Sequence, residues 1–102
     1  MPQTPILDGI KVLDFTHVVA GPHCTRLMAE HGAEVIKIEP LTGDPIRTLP
    51  FHKDGRSGCF VQHNIGKKNM ALDINTPEAK VSPVLSDENY FIIFLFIFTF
   101  LL

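Results

Sequence analysis

Residues 9–39, GIKVLDFTHVVAGPHCTRLMAEHGAEVIKIE, decide the fold. Ile10, Val12, Leu13 and Phe15 form an apolar run rich in branched and aromatic side chains, which is typical of a strand buried on both faces. A turn with one glycine and one proline follows at residues 16–22, and residues 34–39 repeat the strand pattern. We therefore predict a βαβ unit with a right-handed crossover and two parallel strands.

The segment between these strands has the apolar spacing of a helix. Cys24, Leu27, Met28 and His31 follow the i, i+3, i+4, i+7 pattern, so we expect them on the buried face. Gly32 should end the helix, since a residue without Cβ adopts the left-handed conformation at little cost. Burial would make Cys24 an inert side chain and His31 a packed residue rather than a catalyst.

The pattern predicts an α/β fold, the Rossmann-like βαβ start of a parallel sheet in an incomplete domain. Alternating apolar residues at 69–74 indicate a third parallel strand. Ligands of such sheets bind beyond the carboxyl ends of the strands. The functional edge should therefore comprise residues 16–22 and the loop after Glu39. The turn has no GxGxxG motif, so a dinucleotide site of that type is unsupported.

Local capping signals predict two shorter helices downstream. Ser57 should cap a helix over residues 58–64 that Gly66 ends, and Thr76 should cap a helix that begins at the following proline. Several prolines and glycines make residues 40–57 a long connection, and long loops inside compact domains are often functional.

The motifs GIKVLDFT, AGP, GAEVIKIE, GDPIR and NxxKKxxxLD together resemble the opening of the family III CoA-transferases of the CaiB/BaiF type. This family includes formyl-CoA and carnitine-type transferases and the related α-methylacyl-CoA racemase. The resemblance covers residues 7–79. It implies three parts: an N-terminal arm (1–8), the N-terminal part of a CoA-transferase family III domain (9–79), and an aberrant hydrophobic tail (80–102).

The resemblance implies a role in acyl-CoA metabolism: coenzyme A moves between an acyl-CoA and a carboxylic acid, in an intertwined homodimer. The family works through an aspartate that attacks the donor, because a carboxylate nucleophile divides one transfer into two easier steps. No aspartate here matches that context, so we assign no catalytic residue and expect this fragment to be inactive alone. Two alternatives stay open: an acyl-CoA racemase of the same fold, and a non-catalytic module that pairs with a full-length subunit.

The resemblance also implies which residues touch coenzyme A. The family segment matching residues 18 and 19 contacts the cofactor, and the stretch matching residues 72–75 lies along its nucleotide portion. The predicted cofactor-binding residues are therefore Val18, Val19, Leu72, Asp73, Ile74 and Asn75.

Coenzyme A carries a 3′-phosphate and a pyrophosphate, so fixed cations near strand ends would help to bind it. Asn75 and Pro40 stand where a formyl-CoA-transferase-like chain carries Lys and often Arg, and both departures remove a cation. His17 and His23 flank the first turn and could reach a ligand, whereas Asp14 and Glu39 could simply hold loops. The candidate cations are Arg47, Arg56, Lys67 and Lys68.

Composition and residue spacing exclude several other classes of protein. A net charge of −2 gives no basic field for nucleic acid, and two cysteines are too few for a disulfide scaffold. The N-terminus lacks a secretory signal, so we expect the cytoplasm or the mitochondrial matrix. The five histidines show no metal-ligand spacing, so no metal is expected.

The apolar run at residues 91–102 is shorter than the roughly 20 residues that a membrane-spanning helix needs. We interpret residues 80–102 as the product of a truncated or misjoined gene. A tail that docks on a hydrophobic partner and a membrane anchor are the alternatives.

Overall fold

The structure, a computed structural model, describes residues 3–49, 51–80 and 82–93. Strands and helices alternate along most of the chain. The strands are β1 (Lys11–Asp14), β2 (Glu34–Glu39), β3 (His52–Lys53), β4 (Arg56–Ser57), β5 (Lys68–Ala71) and β6 (Tyr90–Ile93). The helices are α1 (Ala20–Glu30), α2 (Gly58–Asn64) and α3 (Pro77–Lys80), with a 3-10 turn at Pro45–Thr48.

Four parallel strands form the main sheet in the spatial order β5-β2-β1-β6. Lys11 lies opposite Glu34 of β2 on one side and opposite Tyr90 of β6 on the other. The predicted α/β fold, with β1 and β2 parallel, is confirmed. The sheet has one strand more than we predicted, because residues 90–93 add to the free edge of β1. Strands β3 and β4 form a separate antiparallel hairpin.

The core lies on both faces of this sheet, which explains why apolar residues are adjacent in β1 and β2 and do not simply alternate with polar ones. Val12, Ala33 and Val35 pack under Met28 and Ala29 of α1 on one face. The opposite face has a second core of Leu13, Ile36 and Ile38, which is covered by Phe15, Met70, Leu72, Val84, Leu85 and Tyr90. Residues 84–90 thus cover the sheet, while residues 94–102 lie outside the described part of the chain. The interpretation of the tail stays a prediction.

The prediction of which face of α1 is buried was wrong for Cys24, Leu27 and His31, whereas Met28 packs on the core as predicted. Cys24 and His31 are exposed, and Leu27 is 41% exposed. The Thr25 hydroxyl donates a 2.6 Å hydrogen bond to the buried carboxylate of Asp14, and this contact turns a neighbouring face of the helix toward the sheet. The buried residues of α1 are Gly21, Pro22 and Thr25. Small residues there let the helix backbone approach the sheet closely.

The predicted caps are confirmed. The Ser57 and Thr76 side-chain oxygens each accept the N–H of the third residue of the following helix, at 3.2 and 3.3 Å. Gly32 and Gly66 follow α1 and α2 with φ of +104° and +85°, as predicted for residues that end a helix. Within the described ranges, no helix has the length and apolar character needed to cross a membrane.

Candidate functional site

A cavity of about 310 Å³ opens beyond the carboxyl ends of β1, β2 and β5. This is the edge at which parallel α/β sheets bind ligands. Three segments line it: the residues after β1, the end of β2 with the loop that follows, and the residues after β5. The lining residues are Phe15, His17, Ile38, Glu39, Pro40, Leu41, Thr42, Leu72, Asp73, Ile74 and Asn75.

The cavity wall is mainly apolar, with a few polar groups. Leu41 is 72% exposed and Ile74 is 47% exposed, so both present apolar surface to a ligand. The Asp73 carboxylate accepts the N–H of Asn75 at 3.0 Å, which holds the loop after β5 in a defined turn. Apolar walls with a few convergent polar groups are typical of small-molecule sites.

The structure brings four of the six predicted cofactor residues together. Residues 72–75 all line the cavity, whereas Val18 and Val19 do not. Val19 is the residue before α1, and Val18 lies half-buried in the turn. His17 lines the cavity, but His23 instead lies edge-on to His63, with 6.3 Å between ring centroids.

Lys67 is a buried structural cation and not a free phosphate ligand. Its ammonium donates to the Asp14 carboxylate (2.8 Å), the Pro22 carbonyl (3.0 Å) and the Asn64 side-chain oxygen (2.8 Å). Burial raises the pKa of Asp14, but Lys67 and two threonine hydroxyls more than offset this and lower it. Burial lowers the pKa of Lys67 to about 8, although Asp14 opposes that shift.

The other predicted cations are also engaged or distant. Arg47 donates two hydrogen bonds to Glu39, at 2.8 and 2.7 Å, and its guanidinium lies 3.5 Å from the ring centroid of Phe60. Lys68 pairs with Glu34 at 3.1 Å at the surface. Arg56 lies in the β3–β4 hairpin, away from the cavity. Asp14 and Glu39 hold loops, as expected from the sequence, because the Thr16 N–H donates to Asp14 and the Asp44 N–H donates to Glu39.

Sequence reasoning missed a buried ion pair between Lys37 and Asp44. Their charged groups are 2.7 Å apart, and both side chains are almost fully buried. The Lys37 ammonium also donates to the Thr16 carbonyl at 3.1 Å. The available signal was a lysine between two isoleucines in a strand buried on both faces, because a buried lysine needs a charged partner.

Val18 has a strained backbone. Its φ is +69°, an outlier for a β-branched residue, and such conformations cost on the order of 1–3 kcal/mol. The Val18 N–H donates to both carboxylate oxygens of Asp44, at 3.1 and 3.3 Å. The Lys37–Asp44 pair therefore ties the turn after β1 to the end of β2.

Glu39 is buried at the end of β2 and accepts several hydrogen bonds. Donors are the Arg47 guanidinium, the Asn69 side chain and the Asp44 N–H, the last at 2.7 Å. Burial raises the pKa of Glu39, but these hydrogen bonds outweigh burial and lower the pKa to about 2.

We predict that Glu39 makes stability dependent on acid pH. The folded state holds the pKa of Glu39 near 2, below its ordinary value of 4.5, so folding favours the ionised form. Its contribution is complete above the ordinary value and is lost as the pH falls toward about 2. Urea unfolding of Glu39→Gln should therefore show a flatter decline in stability between about pH 5 and pH 2.5 than the parent chain.

The exposed Glu30→Gln variant is the control and should keep the parent's decline. An equal decline in Glu39→Gln and the parent over this pH range would contradict the assignment.

Comparison with known proteins defines the family. The profile of CoA-transferase family III matches residues 7–82, so the chain belongs to this family. It is 47% identical over 77 residues to the succinyl-CoA:mesaconate CoA-transferase of Haloarcula hispanica, covering 71% of this chain and 19% of that protein. It is 46% identical over 80 residues to the formyl-CoA:oxalate CoA-transferase of Rhodopseudomonas palustris, covering 76% and 19%.

Solved structures agree with this assignment. A CaiB/BaiF family protein from Brucella suis superposes with a TM-score of 0.69 at 32% identity, over 76% of this chain and 22% of that chain. A hypothetical protein from Mycobacterium tuberculosis gives a TM-score of 0.65 at 40% identity, over 78% and 22%. The chain spans 19% of the length of the curated relatives named above. Within the described residues, no group of three or more His, Cys, Asp or Glu could hold a metal ion.

Proposed function

We propose that this chain carries the coenzyme A site of an enzyme that moves coenzyme A between an acyl-CoA and a carboxylic acid. One observation carries the proposal. Residues 72–75, the stretch that the family resemblance aligns with the nucleotide portion of coenzyme A, all line the cavity at the carboxyl edge of the sheet.

The chemistry of the cavity supports a nucleotide ligand. The adenine ring would lie against Leu41 and Ile74, which expose apolar surface, with the Asn75 amide beside its polar edge. These features suit a ligand with a flat base.

The proposal assigns binding, and not the chemical step, to these residues. Asp14 and Asp44 are fully buried and each is paired with a lysine, so neither can attack a thioester. We propose that other parts of a family III enzyme supply the nucleophilic carboxylate, within the intertwined dimer that the resemblance implies. This chain alone should therefore show no turnover.

Transfer is better supported than racemisation. The names of both curated relatives pair a CoA thioester with a dicarboxylate, mesaconate or oxalate. We extend that substrate class to this chain and propose a dicarboxylic acid as the acceptor.

The test compares two isoleucines of similar exposure. Ile74 lines the cavity, whereas Ile65 is 55% exposed and does not. Ile74→Glu should weaken coenzyme A binding in calorimetric titration by about 30-fold, or about 2 kcal/mol, because it removes apolar contact and repels the phosphates.

Ile65→Glu adds the same charge elsewhere and should leave the affinity within about twofold. Equal affinities for the two variants would refute this location of the site, and so would an unaltered chain that fails to bind coenzyme A at millimolar concentration.

A further inference from the structure

We infer that Asp44 is a positioning residue for the binding of coenzyme A. Its carboxylate holds the turn after β1 in the conformation that places His17 at the cavity. The inference rests on the proposed function. Asp44 does not line the cavity and would act through the backbone of Val18.

The turn adopts a conformation that valine avoids. Val18 has a φ of +69°, and its N–H donates to both oxygens of the Asp44 carboxylate. A strained residue of this kind persists only where the surrounding structure holds it in place. The Asp44 carboxylate that accepts these two hydrogen bonds is itself fixed.

Asp44 is held from several sides. Lys37 pairs with its carboxylate at 2.7 Å, the Ile46 N–H donates to the carboxylate at 3.0 Å, and its own N–H donates to Glu39 at 2.7 Å. Lys37 and Glu39 both belong to β2, whose end forms another wall of the cavity. The Asp44 carboxylate therefore couples two walls of the site.

The position of Val18 makes its conformation matter to a ligand. His17, immediately before it, lines the cavity, and Val19, immediately after it, precedes α1. A negative φ at Val18 would change the path of the chain either before or after this residue. His17 and the start of α1 could not both keep their places.

The experiment compares Asp44→Asn, Val18→Gly and the double variant that carries both substitutions. Asp44→Asn should weaken coenzyme A binding by about tenfold. The amide keeps one acceptor oxygen for the Val18 N–H but loses the second oxygen and the charge that pairs with Lys37, so the turn relaxes in the free protein. Adding Val18→Gly should restore most of that affinity, since glycine adopts positive φ without steric cost. A merely structural role for Asp44 would not produce this rescue. Asp54→Asn, in the exposed hairpin, is the matched control and should bind like the parent.

Two further measurements keep the test decisive. Val18→Gly with Asp44 intact keeps every buried charge partnered, so its affinity for coenzyme A measures what the valine side chain itself contributes. NMR of the free proteins reads the sign of φ at residue 18 from the one-bond Cα–Hα coupling and the intraresidue HN–Hα contact, independently of any ligand.

The inference is supported if Asp44→Asn binds more weakly, loses positive φ at Val18 and is rescued by glycine. It is overturned if Asp44→Asn binds like the parent, keeps positive φ, or gains nothing from Val18→Gly. It is also overturned if Val18→Gly alone loses more than about tenfold in affinity, since Val18 would then act through its side chain. Failure of the parent to bind coenzyme A contradicts the proposed function, and the sign of φ in Asp44→Asn still decides whether Asp44 holds the turn.

Discussion

Replacing Lys67 with methionine is expected to destabilise the chain by about 3–5 kcal/mol. The Lys67 ammonium is the cation beside Asp14, whose carboxylate is fully buried. Methionine fills similar space but leaves that carboxylate as an uncompensated charge. Small domains bury only about 60% of their unfolded surface and have little stability to spare. Far-UV circular dichroism in a urea series should therefore show Lys67→Met largely unfolded.

The neighbouring lysine is the matched control for this change. Lys68 is 70% exposed and pairs with Glu34 at the surface, so Lys68→Met should change stability by less than about 0.5 kcal/mol. Adding Asp14→Asn to Lys67→Met should recover part of the loss, because a neutral amide is less costly to bury than a lone carboxylate. Equal urea midpoints for Lys67→Met and Lys68→Met would contradict the assigned role of the buried pair.

Leu13→Ala is expected to cost about 3 kcal/mol, within the usual range for a buried leucine. Leu13 is fully buried in β1, between β2 and β6, and packs with Ile36 and Ile38. Its truncation leaves a cavity on the face of the sheet that residues 84–90 cover. The expected result is a lower urea midpoint with an unchanged slope.

Leu41→Ala makes the same chemical change at an exposed position. It should leave the free energy of unfolding within about 0.5 kcal/mol of the parent, while weakening coenzyme A binding because Leu41 lines the cavity. A stability loss below about 1 kcal/mol for Leu13→Ala would show that β1 is not packed as described.

The parts of the fold that depend on residues close together in the chain could be predicted from the sequence. The apolar runs of β1 and β2, the Ser57 and Thr76 caps, and Gly32 each act through neighbouring backbone, so the sequence was sufficient. The buried face of α1 was misjudged because the Thr25 hydroxyl donates a hydrogen bond to Asp14, which lies in a different element. This contact sets the orientation of the helix, and the spacing of its apolar residues does not reveal it. The fourth strand was missed because pairing of β6 with β1 depends on residues far apart in the chain.

The site was predictable in part. Residues 72–75 were predicted through the family resemblance, and all four line the cavity, while their contact with coenzyme A stays a prediction. The roles of Lys37 and Asp44 could not be read from spacing, because their pairing depends on how the loop after β2 folds back. Positive φ at Val18 was equally hidden, since valine is among the residues least expected there.

These contacts describe a candidate binding site that is supported by buried charge pairs. Asp14 and Lys67 anchor α1 to the sheet, while Lys37 and Asp44 hold the turn beside the cavity. Glu39 and Arg47 secure the loop that follows β2. Membership of CoA-transferase family III gives this site its proposed ligand.

The most direct test of the coenzyme A site is an NMR titration of the ¹⁵N-labelled chain with coenzyme A. We expect saturable shifts of amide signals that are largest for His17, Thr42 and residues 72–75, which line the cavity. Signals of the groove around Phe51 and Arg56 should not move. No saturable shift at millimolar coenzyme A, or shifts confined to that groove, would contradict the account.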